Sequence, residues 1–166
     1  MSGSNIARAG LLVALLTLPC TFSHAAISSP FEAMAGSWSG GGVVSTSDGN
    51  QERLRCRATY DVAGRGDQLH LNLRCASPSY NFDLASDVEY RGGAISGSWT
   101  EASHNASGTL VGQARGDHVV ASARGNNFSA NLSLTTRGGR QSVSIRPEGT
   151  NITSVSLALD RRSASY

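Results

Sequence analysis

Residues 52 to 76 constrain this chain more than any other stretch. "ERLRCRATYDV" (52–62) places Leu54, Cys56, Ala58, Tyr60 and Val62 on one face, and Arg53, Arg55, Arg57, Thr59 and Asp61 on the other. "QLHLNLRCA" (68–76) places Leu69, Leu71, Leu73 and Cys75 on one face, opposite His70, Asn72 and Arg74. Sustained period-two alternation of this kind marks a half-buried strand. A hairpin turning about Arg65-Gly66 sets Val62 opposite Leu69, Tyr60 opposite Leu71, Ala58 opposite Leu73, and Cys56 opposite Cys75. Facing residues in a non-hydrogen-bonded antiparallel pair have Cα atoms about 4.5 Å apart, at the short end of the disulfide range. Alternation, turn and cysteines agree on one register, and a one-residue slip would break all three.

Arg-Gly recurs at 91–92, 115–116, 124–125 and 137–138, each time between alternating segments. Centring a hairpin on each dipeptide sets Val88 opposite Ile95, Gly112 opposite Val119, Ala121 opposite Phe128, and Leu132 opposite Val143. Glycine supplies the positive φ of a tight hairpin. The two Arg-Gly-Asp triplets, 65–67 and 115–117, then read as hairpin tips whose Asp begins the returning strand, rather than as adhesion signals. Further turns are expected at 47–50 and 147–151. The strands are expected at 37–46, 52–62, 68–76, 80–90, 94–101, 108–114, 118–123, 128–135, 140–146 and 152–160. A twisted antiparallel meander of this length leaves two open edges unless it closes. The expected fold is therefore all-β: a closed or nearly closed up-and-down barrel of about 8–10 strands with a Cys56–Cys75 cross-strand disulfide.

The N-terminus reads as a targeting segment. "LLVALLTLPCTF" is too short to span a bilayer but suits a signal-peptide core, and "SHA" at 23–25 suits cleavage after Ala25. Pro19 before Cys20 disfavours a lipoprotein site there. The expected division is a signal peptide at 1–25, an N-terminal lead at 26–35 with a turn near 29–36, a barrel at 36–162 and a short tail at 163–166. Removing the signal leaves Cys56 and Cys75, an even pair suited to an oxidising compartment. The expected location is periplasmic or secreted. All 14 basic residues are Arg, and the net charge is only +2. So small a basic excess argues against nucleic-acid binding, and no later run is long and apolar enough for a membrane span.

The expected inward faces are rich in large apolar groups, among them Trp38, Tyr60, Phe82, Trp99 and Phe128, and contain no charged residue. Gly97, Gly112, Ala114, Ala121 and Ala130 share those faces, so one wall is large-lined and the other small-lined. Either large residues fill the space over small ones, or the small-lined wall leaves room for a ligand. Barrels of this strand number lie near the size at which an interior holds one small molecule.

"GSW" at 36–38, opening the first strand, resembles the Gly-x-Trp signature of lipocalins and their calycin relatives. A second "GSW" at 97–99 resembles the strand pieces of avidin-like barrels. The resemblance implies a barrel in which an Arg near the last strand's end, Arg161 or Arg162, packs over Trp38. The tight turns throughout, with no long lid loop, depart from lipocalins.

Little in the sequence points to reaction chemistry. All 12 acids are expected on outward faces, in turns or in the lead. His70, His104 and His118 lack ligand-like spacing, so no metal site or cofactor is expected. No serine sits in a nucleophile-elbow pattern. Arg53, Arg55, Arg57 and Arg74 form an outward basic patch, read as complementing the acidic stripe Asp83, Asp87 and Glu89 or as a site for an anionic partner. Arg57 should face Arg74, a like-charge pair that calls for a nearby anion such as Asp83. The sequons at Asn105, Asn127, Asn131 and Asn151 are expected to be silent in a bacterial envelope protein. The function expected is a non-enzymatic exported barrel binding a small apolar or neutral ligand, with Trp38, Tyr60, Phe82, Trp99 and Phe128 as ligand contacts. Two alternatives stay open: a protein-interaction barrel such as a secreted protease inhibitor, whose Ala26–Ala35 lead would insert into its target, and a structural factor docking to an envelope protein.

Overall fold

The computed structural model describes residues 29–163. The expected signal peptide, its cleavage point after Ala25 and the last three residues lie outside the described residues. Ten strands follow one another: β1 (Gly36–Thr46), β2 (Gln51–Ala63), β3 (Gln68–Ala76), β4 (Asn81–Arg91), β5 (Ala94–Glu101), β6 (Ala106–Arg115), β7 (His118–Gly125), β8 (Phe128–Arg137), β9 (Arg140–Glu148) and β10 (Ile152–Arg161). Each pairs antiparallel with its sequence neighbours, and β10 pairs with β1, closing an up-and-down barrel without a free edge.

The β2–β3 register is the expected one. Cys56 faces Cys75, Tyr60 faces Leu71 and Val62 faces Leu69. The two cysteine sulfurs lie at disulfide distance, with Cα atoms 4.1 Å apart. Arg57 faces Arg74, and Asp83 meets that pair through the Arg74 Nε at 3.2 Å.

The other four expected registers are corrected. Tyr90, not Val88, faces Ile95; Ala114, not Gly112, faces Val119; Leu132, not Phe128, faces Ala121; and Ile145, not Val143, faces Leu132. The turns explain the slips. Gly92-Gly93, Gly116-Asp117 and Gly138-Gly139 are two-residue tips with positive φ at every glycine. The preceding arginine is therefore the last residue of its strand, not part of the turn. In β7–β8 the tip moves further on, to Asn126-Asn127, with Asn127 at φ 58°. Asp117 likewise sits in its turn, where Arg137 donates to it, and Asp67 belongs to the β2–β3 tip, where it accepts the Arg65 N–H. Every slip is by an even number of residues, so no side chain changes face.

The outer wall is polar and the inner wall apolar, the reverse of a transmembrane barrel. Among the described residues no helix is long and apolar enough to cross a membrane. Gly40 and Gly42 on β1, Gly97 on β5, and Gly108 and Gly112 on β6 point inward, and a Cβ at any of them would collide with a carbonyl of the adjoining strand. These glycines let neighbouring backbones close up as the sheet coils into a barrel.

One end of the barrel is plugged. The lead makes a single turn in which the Phe31 carbonyl accepts from the Met34 N–H at 2.8 Å. Phe31 and Met34 are buried, with Phe31 edge-on to Tyr90. Trp38 lies beneath them at 0% exposure, its indole N–H donating to the Met34 carbonyl at 2.7 Å. The Arg161 guanidinium covers the same indole, as the calycin resemblance implied, and donates to the Ala33 and Ala35 carbonyls.

Candidate ligand cavity

Above the plug the barrel is hollow. The cavity measures about 540 Å³. Its floor is Phe31 and Met34, and it runs to the opposite end, where His104 from the β5–β6 turn and Thr150 and Asn151 from the β9–β10 turn reach it. Along β5 the wall runs from Ile95 to Glu101, a depth of about 15 Å at ordinary strand rise and barrel tilt. Leucines of β2 and β3 form the large-lined wall, while Ala106, Ala121, Ala123 and Ala130 on β6, β7 and β8 form the small-lined one. The void exists because those alanines are not compensated from across the barrel.

Four of the five expected contact residues, Tyr60, Phe82, Trp99 and Phe128, line the cavity. Trp38 is not among its lining residues; its indole is consumed by the plug. Phe82 stands parallel to Tyr80 with centroids 6.3 Å apart, and Trp99 meets Phe128 edge-on at 5.6 Å. These four rings stand on the strand ends nearest the mouth. The basic patch is elsewhere, on the outer wall of β2 and β3. Among the described residues no carboxylate pairs with Arg53, Arg55 or Arg57.

The interior does hold charge, contrary to expectation. Glu101 ends β5 on the same parity as Ile95, Gly97 and Trp99, so it points inward and lines the cavity. Its side chain is 11% exposed. Oε1 accepts from the Asp83 N–H at 2.7 Å and the Ser103 N–H at 3.1 Å, and Oε2 from the His104 N–H at 2.8 Å. The His104 Nδ1 lies 2.6 Å from Oε2. Burial pushes this carboxyl up, but the hydrogen bonds, led by that from Asp83, outweigh it and hold it below the ordinary glutamate range. The sequence did carry this signal: strand parity alone turns Glu101 inward.

The other polar groups of the interior are occupied. The Tyr60 hydroxyl donates to Gln141 at 3.0 Å, and burial drives its phenol well above the usual value. The Ser86 hydroxyl donates to the Ser98 carbonyl at 2.8 Å. Among the described residues no buried side-chain polar atom lacks a partner. The other two described histidines act locally on the outer wall, His70 with Asp87 and His118 with Thr135.

This geometry has counterparts among solved structures. The barrel superposes on Rv2717c from M. tuberculosis with a TM-score of 0.65 at 13% identity, over 83% of this chain and 100% of that one. It superposes on the S-type phycobiliprotein lyase CPES from Guillardia theta with a TM-score of 0.61 at 10% identity, over 82% of this chain and 92% of that one. The fold is a closed, ten-stranded antiparallel up-and-down barrel. Identities this low carry the fold and nothing more. No family model and no curated protein sequence matches the chain.

Proposed function

We propose that the protein is a periplasmic or secreted carrier that holds one small, largely apolar molecule inside its barrel. The observation that supports this reading is the hollow of about 540 Å³, lined mostly by apolar side chains, with its buried polar atoms already paired. Cavities of roughly 300–1,000 Å³ suit ligands of drug or cofactor size. Water gains little in such a space, because an ordered water needs two or more free polar partners. Selection then rests on shape and apolar contact, with Tyr60, Phe82, Trp99 and Phe128 as contacts. Export is part of the reading, and rests on the apolar run at 11–22, the cleavage triplet ending at Ala25 and the Cys56–Cys75 pair.

The Guillardia theta neighbour is named a lyase, so catalysis is the competing reading. Glu101 and His104 are the only groups of the cavity arranged like acid–base machinery among the described residues. No side-chain nucleophile shares a hydrogen bond with His104 there, and we adopt binding without chemistry. The test is native mass spectrometry of protein purified from its own host, followed by solvent extraction. A bound small molecule at up to one per chain is expected. Chains free of ligand, together with failure of apolar dyes to brighten on addition of protein, would sink the reading.

A further inference from the structure

Toward the mouth the cavity lining changes from aliphatic to aromatic, and then to the His104 imidazole, with Thr150 and Asn151 also at the rim. The His104 ring lies 6.0 Å from the Phe82 ring, which is itself stacked with Tyr80. Its Nδ1 is held by Glu101, whose two oxygens face four donors. A carboxylate so surrounded acts only as an acceptor, so the hydrogen of the pair sits on Nδ1. In the neutral ring Nε2 is then a bare lone pair, and it has no hydrogen-bond partner among the described residues. The cavity thus ends in a free imidazole acceptor at the rim of a wall whose buried polar atoms are satisfied.

We propose that the ligand is an apolar body ending in an uncharged or cationic hydrogen-bond donor, a hydroxyl or an amine, which the His104 Nε2 accepts at the mouth. The inference rests on the carrier reading above. An acid head is disfavoured on three counts. The lining holds no arginine, the fixed charge of Glu101 stands one ring away, and a bare Nε2 offers an anion no donor. The apolar body then lies along the small-lined wall of Ala121, Ala123 and Ala130.

The experiment displaces the apolar dye N-phenylnaphthylamine from the wild-type protein with decanol, decylamine and decanoate. Decanol, decylamine or both should displace it at about fivefold lower concentration than decanoate, the factor one net hydrogen bond supplies. The ranking of alcohol against amine separates the two donor classes. His104→Phe keeps the ring contact with Phe82 and removes the acceptor. It should weaken the favoured donor about fivefold relative to decanoate; His104→Gln, which retains an acceptor, should recover most of that loss. Decanoate binding as well as or better than both donors overturns the inference, as does a His104→Phe protein with unaltered decanol and decylamine affinity. If His104→Phe no longer takes up dye, the wild-type ranking and His104→Gln decide. A wild-type protein that takes up no dye overturns the carrier reading itself, and this inference with it.

Discussion

The Arg161 guanidinium lies over the Trp38 indole, its central carbon 4.4 Å from the ring centroid. The contact joins the first strand to the last, and both to the lead, because the same guanidinium donates to the Ala33 and Ala35 carbonyls. Arg161→Ala should cost about 1–2 kcal/mol, the sum of an exposed cation–π contact and solvent-screened hydrogen bonds. Arg161→Lys should recover less than half, since an ammonium cannot stack and fork at once. The urea midpoint measures both, and an Arg161→Lys protein as stable as wild type would show that charge alone suffices.

The inward glycines of β1 should be intolerant of any side chain. A Cβ on Gly42 would fall inside the van der Waals surface of the Ser156 carbonyl, with no flexible group able to yield. Gly42→Ala should therefore destabilise by about 3 kcal/mol or fail to fold. At the Gly138 tip, where φ is 54° and nothing lies within 4 Å, Gly138→Asn should cost less than about 1 kcal/mol. Thermal melts of the pair give the contrast. Equal losses would show that the collision is relieved by a small backbone shift.

The pairing of β2 with β3 was legible to the residue, because cysteines at 56 and 75 pin what alternation leaves free. The later hairpins slipped by two or four residues because a period-two pattern is blind to even shifts. For the same reason the inward set survived the error. Arg91, Arg115 and Arg137 each end a strand rather than enter a turn, which is why centring the hairpins on Arg-Gly misplaced them. Glu101 was legible from its parity with Trp99 and was overlooked because a charge at a strand end reads as solvated. Phe31 and Met34 lie in a single turn with no periodicity, so nothing in the sequence assigned them to the plug. The hollow itself was not legible: alternation says which side chains face inward, not how far apart the walls stand.

Acid should weaken the mouth end of the barrel through Glu101. Its carboxyl is held below the ordinary value near 4.5 in the folded state. A depressed acid adds stability that is fully present above the unfolded value and is lost as pH falls through the folded one. Stability should thus be flat from ~pH 7 to ~pH 5 in this respect and fall below that. Glu101→Gln should lower stability at neutral pH and flatten the acid limb. Urea midpoints across this range test it, and an unchanged acid limb in the variant would assign the fall to other carboxylates.

Reduction should loosen the wall beside the cavity. Cys56 and Cys75 are separated by 19 residues, and cross-linking a loop of that length is worth about 3 kcal/mol in the chain-entropy description. The double variant Cys56→Ala, Cys75→Ala should lose that much, and wild type in excess dithiothreitol the same. A double variant that tracks wild type under both conditions would mean that the strand pairing alone sets the register.

Filling the hollow should separate binding from folding. Ala121 is 7% exposed and faces the cavity from the small-lined wall. Ala121→Phe adds a ring into existing space, so it should leave the melting temperature unchanged or raise it by a few degrees. Dye or ligand affinity should fall at least tenfold, because the added ring occupies the ligand's volume. Val111→Ser, on the outer wall at 58% exposure, serves as the neutral control. Unaltered affinity in a well-folded Ala121→Phe protein would place binding outside the barrel, and a large loss of stability would mean the wall has no room to receive the ring.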